Sequence, residues 1–405
     1  MSRPVKVLQF GAGNFLRGFC DWMIDVLNEK TDFNGNVVIV QPIRKGKGIA
    51  LPADGNYTVK INEDERLITC IDSVVDPHDE YERFLSLAEN PDLEFIISNT
   101  TEAGIAFGND DTFPAKATAF LFHRYKSNKK PLTFLPCELI EKNADTLKSV
   151  IDRYIDAWKL PGDFKSWVNS EVVFRNTLVD RIVTGDSSTV VAEKYYLWLI
   201  EGHVSIPFDK AGLNVKFVSD LSPYRTRKVR ILNGAHTTLV PVAYLKGFRT
   251  VRESVEDEKM RDFLLKAIHE EIIPTLDLPK EELIQFADDT IGRFKNPFIK
   301  HELASIALNS VSKYRVRVLP SVLKYIEIKK ELPRRLLFSL AALIKLYENP
   351  INDTPEVLEF FKRSPSVKEI LGNESFWGQD LNKIDEVTDV VSISLRILKD
   401  SAAHR

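Results

Sequence analysis

Lys228, Asn233 and His236 stand close together in the stretch Ser222-Pro-Tyr-Arg-Thr-Arg-Lys-Val-Arg-Ile-Leu-Asn-Gly-Ala-His236, which opens with a capping serine and a proline, as helices do. Interconverting an alcohol and a ketone needs a group that exchanges the hydroxyl proton, a donor for the charge that develops on oxygen, and a hydride carrier. A lysine, an amide and an imidazole supply the first two. At about 100° per residue, Lys228, Asn233 and His236 fall at about 0°, 140° and 80°, with Arg225 at about 60°, so one side of the helix carries all four. Cations crowded round a lysine favour its neutral, proton-accepting form, and Arg225, Arg227 and Arg230 are near in sequence. The same spacing fits a solvated basic helix with a capped or buried histidine, and spacing alone leaves both readings open.

A hydride carrier is suggested at the other end of the chain. There Val5-Lys-Val-Leu-Gln-Phe-Gly-Ala-Gly-Asn-Phe-Leu-Arg-Gly-Phe runs from a strand through Gly11 and Gly13 into a helix. Gly11 permits the tight turn, and Gly13 lets a pyrophosphate approach the backbone at the helix start. The third glycine of the dinucleotide fingerprint is replaced by Leu16, and no acidic residue follows the second strand, where Val40 leads into Gln41-Pro-Ile-Arg-Lys45. Arg44 or Lys45 could favour a 2′-phosphate or be merely solvated, so the residues leave NAD and NADP both open.

Between these segments, short β-rich runs alternate with helical ones, the pattern of a parallel sheet flanked by helices. The expected strands are Val5 to Phe10, Asn36 to Val40, Leu93 to Ser98, Leu132 to Pro136 and Leu213 to Val218. The expected helices are Phe15 to Leu27, Asp79 to Ala88 and Ala144 to Trp158. After Ser222 the pattern is helical throughout: Tyr224 to Lys246, Glu256 to Ile273, Lys280 to Gly292, Ile299 to Val311, Arg334 to Tyr347 and a helical tail from Pro355. This predicts an α/β Rossmann-like dinucleotide-binding domain over residues 1–220, followed by a mostly α-helical substrate and catalytic domain over 221–405.

Length and composition fit that plan. A chain of 405 residues exceeds one ordinary core, and a hydrophobic fraction of 44% with a net charge of −3 describes a globular protein. Basic residues are mixed with acidic ones, so no nucleic-acid partner is expected. Cys20, Cys70 and Cys137 are too widely spaced for a disulfide framework or a C-x-x-C pair, no run suits a membrane span, and the N-terminus enters a strand directly. A cytoplasmic protein without a membrane partner is expected. The histidines are scattered, His269-Glu270-Glu271 reads as an exposed helix face, and no metal is expected.

The lysine helix resembles the signature of the mannitol dehydrogenase family of long-chain, polyol-specific dehydrogenases: a Lys, four residues, an Asn, two residues and a His. Further blocks recur in family order along nearly the whole chain: Gln9-Phe-Gly-Ala-Gly-Asn-Phe-Leu-Arg17, Ser98-Asn-Thr-Thr-Glu-Ala-Gly104, Pro136-Cys-Glu-Leu139, Asn176-Thr-Leu-Val-Asp-Arg-Ile182 and Gly292-Arg-Phe-Lys-Asn-Pro-Phe298. The resemblance implies Lys228 as general acid/base, Asn233 and Asn176 as oxyanion donors and His236 in substrate placement. It implies NAD as cofactor, held by Phe10, Gly11, Gly13, Asn14, Phe15 and Gln41, with Thr101 and Glu102 near the nicotinamide. Arg225 and Arg293 become candidate substrate contacts.

Mannitol-type members carry an Asp after the second strand and Cys-Asp-Asn where this chain has Cys137-Glu138-Leu139, which points away from simple polyols. The wording of the blocks is nearest to members acting on keto-hexuronates, so the implied reaction links D-tagaturonate and D-altronate in hexuronate catabolism. Fructuronate reduction and mannitol-type polyol oxidation are the alternatives, and a non-catalytic dinucleotide sensor is the reading from another class. The implied partner is a small sugar acid, and the implied state a monomer or small homo-oligomer. The chain is shorter than typical members around Gly185 to Lys194.

Overall fold

The computed structural model describes residues 3–41, 55–100, 104–298 and 300–403. The chain divides into two compact units, residues 1–221 and 222–405. In the first unit, a parallel sheet runs in the order Ile71–Val75, Asn36–Val40, Val5–Phe10, Phe95–Ser98, Leu132–Pro136, Val172–Phe174. This is the doubly wound order, in which the strand sequence reverses beside the first strand. Asn36-Val-Val-Ile-Val40 is buried throughout, as a parallel strand covered on both faces must be. Alternate residues feed two cores. Val7, Ile39, Ile97 and Leu135 face one, while Leu8, Phe10, Val38, Ile96 and Phe134 face the other.

The carboxyl ends of these strands lie level. Phe10 is in register with Val40 and Ser98, and Ser98 with Pro136. Gly11 N then donates to Val40 O at 3.0 Å, Asn99 N to Phe10 O at 3.1 Å and Cys137 N to Ser98 O at 2.7 Å. The segments after the strands therefore leave the sheet side by side.

The first unit departs from a single parallel sheet. A four-stranded sheet joins Val183–Gly185, Thr189–Ala192, Tyr57–Ile61 and Asp64–Ile68, and a three-stranded sheet joins Val215–Val218, Leu197–Glu201 and Thr177–Asp180. Both contain antiparallel pairs. The last expected strand is therefore shorter than Leu213 to Val218 and pairs outside the main sheet.

In the second unit the named elements are helices. The run expected from Tyr224 to Lys246 is unbroken but changes pitch, passing from Ser222–Arg227 through a π-helical turn, Lys228–Asn233, into Gly234–Leu245. The helix expected from Ile299 to Val311 is not one helix. Leu303–Ile306 is short, and Asn309 adopts a left-handed φ of 55° before Ser310–Arg317 begins. Helices Leu319–Lys329 and Arg334–Leu346 follow.

Candidate active site

The glycine turn shows why each glycine is there. Gly11 has φ of +116°, and a Cβ on it would stand 2.8 Å from the Asn99 carbonyl oxygen, so a side chain is excluded by both strain and space. Gly13 has an ordinary φ of −64°, and among the described residues no atom beyond its chain neighbours lies within 4 Å of where its Cβ would be. Among the described residues, no side chain caps the helix starting at Asn14, which leaves its first N–H groups open to a ligand. An approachable backbone beside uncapped donors fits a dinucleotide pyrophosphate.

The missing third glycine has a structural counterpart. The helix enters a π turn at Arg17–Asp21, and Gly18 makes the close approach, since a Cβ there would lie 2.7 Å from Val183 Cγ1 and 2.8 Å from Val190 Cγ1. Leu16 can then be large and buried. The hairpin packed on Gly18 also grips the turn: Asn14 Nδ2 donates to Gly185 O at 2.7 Å, and Arg17 donates to Ser187 O at 2.9 Å, Asp186 O at 2.6 Å and Asn14 Oδ1. Phe15 stacks on Phe19 at 4.9 Å. Phe10 is fully buried against Phe84 and Phe113, so its side chain supports the turn from the core. Gln41 is half-buried at the end of the second strand. Arg44, Lys45, Thr101 and Glu102 lie outside the described residues.

Under the turn is a buried polar cluster. Gln9 Nε2 donates to Gly11 O at 3.1 Å and to Asp21 Oδ2 at 3.3 Å, and Tyr57 Oη donates to the same carboxylate at 3.0 Å. Gln9 Oε1 and Asp21 Oδ1 are buried acceptors without partners among the described residues. Burial pushes the Asp21 carboxyl up to about 7 against the opposing pull of Tyr57, Gln9 and Arg17. A proton on Asp21 turns one unpaired acceptor into a donor.

A second carboxylate, Glu138, organises the neighbouring strand ends. It accepts from Ser98 Oγ at 3.0 Å, Thr100 N at 2.9 Å and Thr100 Oγ1 at 3.0 Å. The chain at Ser98 and Thr100 is therefore clamped to the Pro136-Cys-Glu segment. Asn176 is nearby in the chain's hydrogen bonding: its Oδ1 accepts from Ala144 N and Asp145 N at 3.0 and 3.1 Å, and its Nδ2 donates to Asp145 Oδ2 at 3.1 Å. Its side-chain oxygen thus caps helix Asn143–Ala157, and one Nδ2 hydrogen is left unused among the described residues.

In the second unit the π turn revises the helical-wheel geometry. An i→i+5 closure stacks residues five apart, so Asn233 moves toward the face of Lys228 instead of standing about 140° from it. Gly234 lets another element in: a Cβ there would lie 3.2 Å from the Arg317 carbonyl oxygen. Arg230 donates to the Val316 carbonyl, tying the same element down. Arg227 is turned away, paired with Glu282 at 2.5 Å and lying over Phe286.

His236 stacks on Phe294 with ring centroids 4.1 Å apart and meets His301 edge-on at 5.3 Å. Its Nε2 is buried without a partner among the described residues. Burial, followed by His301, Arg293, Arg317 and Lys313, holds its pKa well below the usual imidazole range. The structure thus gathers Arg293, His301, Lys313 and Arg317 round His236, while Lys228 and Asn233 precede it on the same helix. Sequence reasoning missed His301, Lys313 and Arg317, which follow His236 by more than sixty residues with no shared motif. Asn176 and the residues of the glycine turn belong to the first unit. Among the described residues, no cluster of three or more His, Cys, Asp or Glu side chains could hold a metal.

A doubly wound sheet with a glycine turn at its leading strand, followed by a helical unit carrying lysine, asparagine and histidine, defines a dinucleotide-dependent dehydrogenase. The chain belongs to the mannitol dehydrogenase family. Residues 5–209 match the mannitol dehydrogenase Rossmann domain and residues 220–399 the mannitol dehydrogenase C-terminal domain. It is 44% identical to the altronate oxidoreductase of Bacillus subtilis strain 168, over 99% of this chain and 94% of that protein. It is 42% identical to the altronate oxidoreductase of Enterobacter sp. strain 638, over 97% and 94%. The Bacillus alignment spans 455 residues against 405 here, so that relative holds segments this chain lacks. Substrate-free D-sorbitol dehydrogenase has a similar fold, with a TM-score of 0.82 at 20% identity over 99% of this chain and 94% of that one. The ternary complex of Pseudomonas fluorescens mannitol 2-dehydrogenase with NAD and D-mannitol gives 0.70 at 18% identity, over 99% and 93%.

Proposed function

We infer that this chain is an NAD-dependent oxidoreductase interconverting a keto-hexuronate and its aldonate, D-tagaturonate and D-altronate, in hexuronate breakdown. The observation that carries this reading is the 44% identity, over 99% of the chain, to a protein named altronate oxidoreductase. The residues of the two units supply what the reaction needs. The first unit holds the dinucleotide through the Gly11 and Gly13 backbone and the open N–H groups from Asn14 onward, with Phe15, Gln41, Thr101 and Glu102 around it. NAD held there would supply the hydride acceptor when altronate is oxidised to tagaturonate, and its reduced form the hydride donor when tagaturonate is reduced to altronate.

Lys228 takes the hydroxyl proton when the aldonate is oxidised and returns it to the oxygen when the keto acid is reduced. Asn233 donates to that oxygen as negative charge develops, and the remaining amide hydrogen of Asn176 is the second donor. His236, held neutral, offers Nε2 to a substrate hydroxyl, which meets the polar demand of that buried atom. Arg225 and Arg293 contribute to substrate contact.

The enzyme is taken to act in the cytoplasm on a small sugar acid, as a monomer or small homo-oligomer. In support, no helix among the described residues is long and apolar enough to cross a membrane, and Cys20, Cys70 and Cys137 are buried free thiols. Parallel assays of NADH and NADPH oxidation with tagaturonate, fructuronate and fructose test the reading. Tagaturonate should be preferred with NADH; turnover of fructose alone would overturn it.

A further inference from the structure

A keto-hexuronate differs from a neutral ketose by its carboxylate, and a buried carboxylate needs a committed cationic partner. The arginines near the reaction helix are not equally available. Arg227 is paired with Glu282, and Arg230 with the Val316 carbonyl. Arg225 and Arg293 each have an interaction already. The Arg317 guanidinium is half-buried and, among the described residues, meets neither a carboxylate nor a hydrogen-bond acceptor.

Its surroundings are those of an anion site. Arg317 ends helix Ser310–Arg317, and its carbonyl packs against Gly234 beside Asn233. Lys313, one turn earlier, donates to Ile306 O at 2.7 Å, leaving two cations stacked at i and i+4. Like charges so placed oppose helix formation. Among the described residues, Asp353 is the acidic group that acts on Lys313, and it is engaged by the Tyr347 hydroxyl. The largest charged influences on His236 among the described residues are basic: His301, Arg293, Arg317 and Lys313. A neutral imidazole with an unpaired nitrogen and an uncommitted guanidinium thus sit in one unit, within electrostatic reach of each other.

We propose that Arg317, assisted by Lys313, binds the substrate carboxylate and thereby selects a keto-hexuronate over a neutral ketose. This rests on the hexuronate reading above. Arginine suits the role because its planar fork matches a carboxylate with two parallel hydrogen bonds, which lysine does not reproduce.

The test compares the full-length wild type with Arg317→Gln and Arg317→Lys, using NADH with tagaturonate and with fructose. For Arg317→Gln, kcat/KM with tagaturonate should fall by about 10²-fold, chiefly through KM, while the value with fructose stays within about twofold and the NADH Kd is unchanged. Arg317→Lys keeps a cation at the helix end and should recover only part of the loss. Equal losses on both substrates, full recovery by lysine, or no loss on tagaturonate would each overturn the assignment. Where fructose turnover is below detection, inhibition constants for an aldonate and its alditol give the same ratio. Failure of the wild type to reduce any keto-hexuronate is a distinct result: it removes the hexuronate reading, and with it the ligand assigned to Arg317.

Discussion

The glycine turn and the reaction helix both begin or interrupt a helix, both include a π turn, and they treat their polar side chains in opposite ways. At the glycine turn, Asn14 and Arg17 are tied to hairpin carbonyls, and what remains open is backbone N–H. At the reaction helix, His236 Nε2 is buried and unpaired among the described residues, and the nearby Arg317 guanidinium is likewise unpaired among them. A cofactor common to many enzymes is met by preset backbone geometry. On the proposed assignment, a particular sugar acid is met by side chains whose hydrogen-bonding demand is completed on binding. The difference teaches that specificity resides where polar atoms are left waiting.

The largest expected effect removes the proton-transfer group from the second region while leaving the first intact. Lys228→Ala should lower kcat by about 10²- to 10⁴-fold, the range for loss of a general acid/base, with NADH binding unchanged in fluorescence titration. Near-normal turnover would take Lys228 out of that role and blur the contrast between the regions.

Next is a pair of substitutions within the glycine turn. Gly11→Ala places a methyl group 2.8 Å from the Asn99 oxygen at φ of +116°, so it should lower the melting temperature as well as NADH affinity. Gly13→Ala meets no atom of the described residues beyond its chain neighbours within 4 Å and should melt like the wild type. If the pyrophosphate approaches there, Gly13→Ala should still weaken NADH about tenfold or more. Equal NADH affinity in Gly13→Ala and wild type would mean that the open side of the turn is not where the cofactor lies.

A smaller effect concerns the cluster under the turn. Folded Asp21 keeps its proton up to about pH 7, whereas an unfolded aspartate releases it near about 4. The folded state binds more protons across that interval, so this residue lowers stability as pH rises from about 4 to about 7. Asp21→Asn removes the titration and keeps an acceptor for Tyr57. It should flatten that part of the stability profile and, at about pH 8, stabilise the protein by on the order of 1 kcal/mol or more. Calorimetry at about pH 5 and pH 8 reads both. A variant less stable than wild type at both values would show that the charged form is the one the fold prefers.

The contrast also explains what the sequence made legible. Strands Val5–Phe10, Asn36–Val40 and Leu132–Pro136 were readable because buried parallel strands are rich in Val, Ile, Leu and Phe. The four-stranded sheet was not, because Thr189–Ala192 pairs with Tyr57–Ile61 across more than a hundred residues and each strand is short. Leu16 looked like a broken fingerprint because the close-packing glycine had moved to Gly18, a shift made possible by the π turn. Lys228, Asn233 and His236 were visible from local spacing, but their true face depends on a pitch that local spacing does not set. Arg317 carried no signal, since what marks it is the lack of a partner among the described residues in three dimensions.

The smallest expected effect is a flat line, and it probes the second region most directly. A histidine whose folded pKa is depressed binds fewer protons than its unfolded counterpart below about pH 6.5, so the site loses stability in acid and is unaffected at neutral pH. Burial excludes charge from the ring, and His301, Arg293, Arg317 and Lys313 oppose it further. The C2 proton of His236 should therefore not shift in NMR spectra between about pH 5.5 and 8, and no limb of the kcat profile in that window should vanish in His236→Gln. A titrating His236 would mean that the waiting nitrogen is a proton carrier. It would then share the acid/base role assigned to Lys228, and the second region would hold its substrate by charge on the imidazole as well as on Arg317.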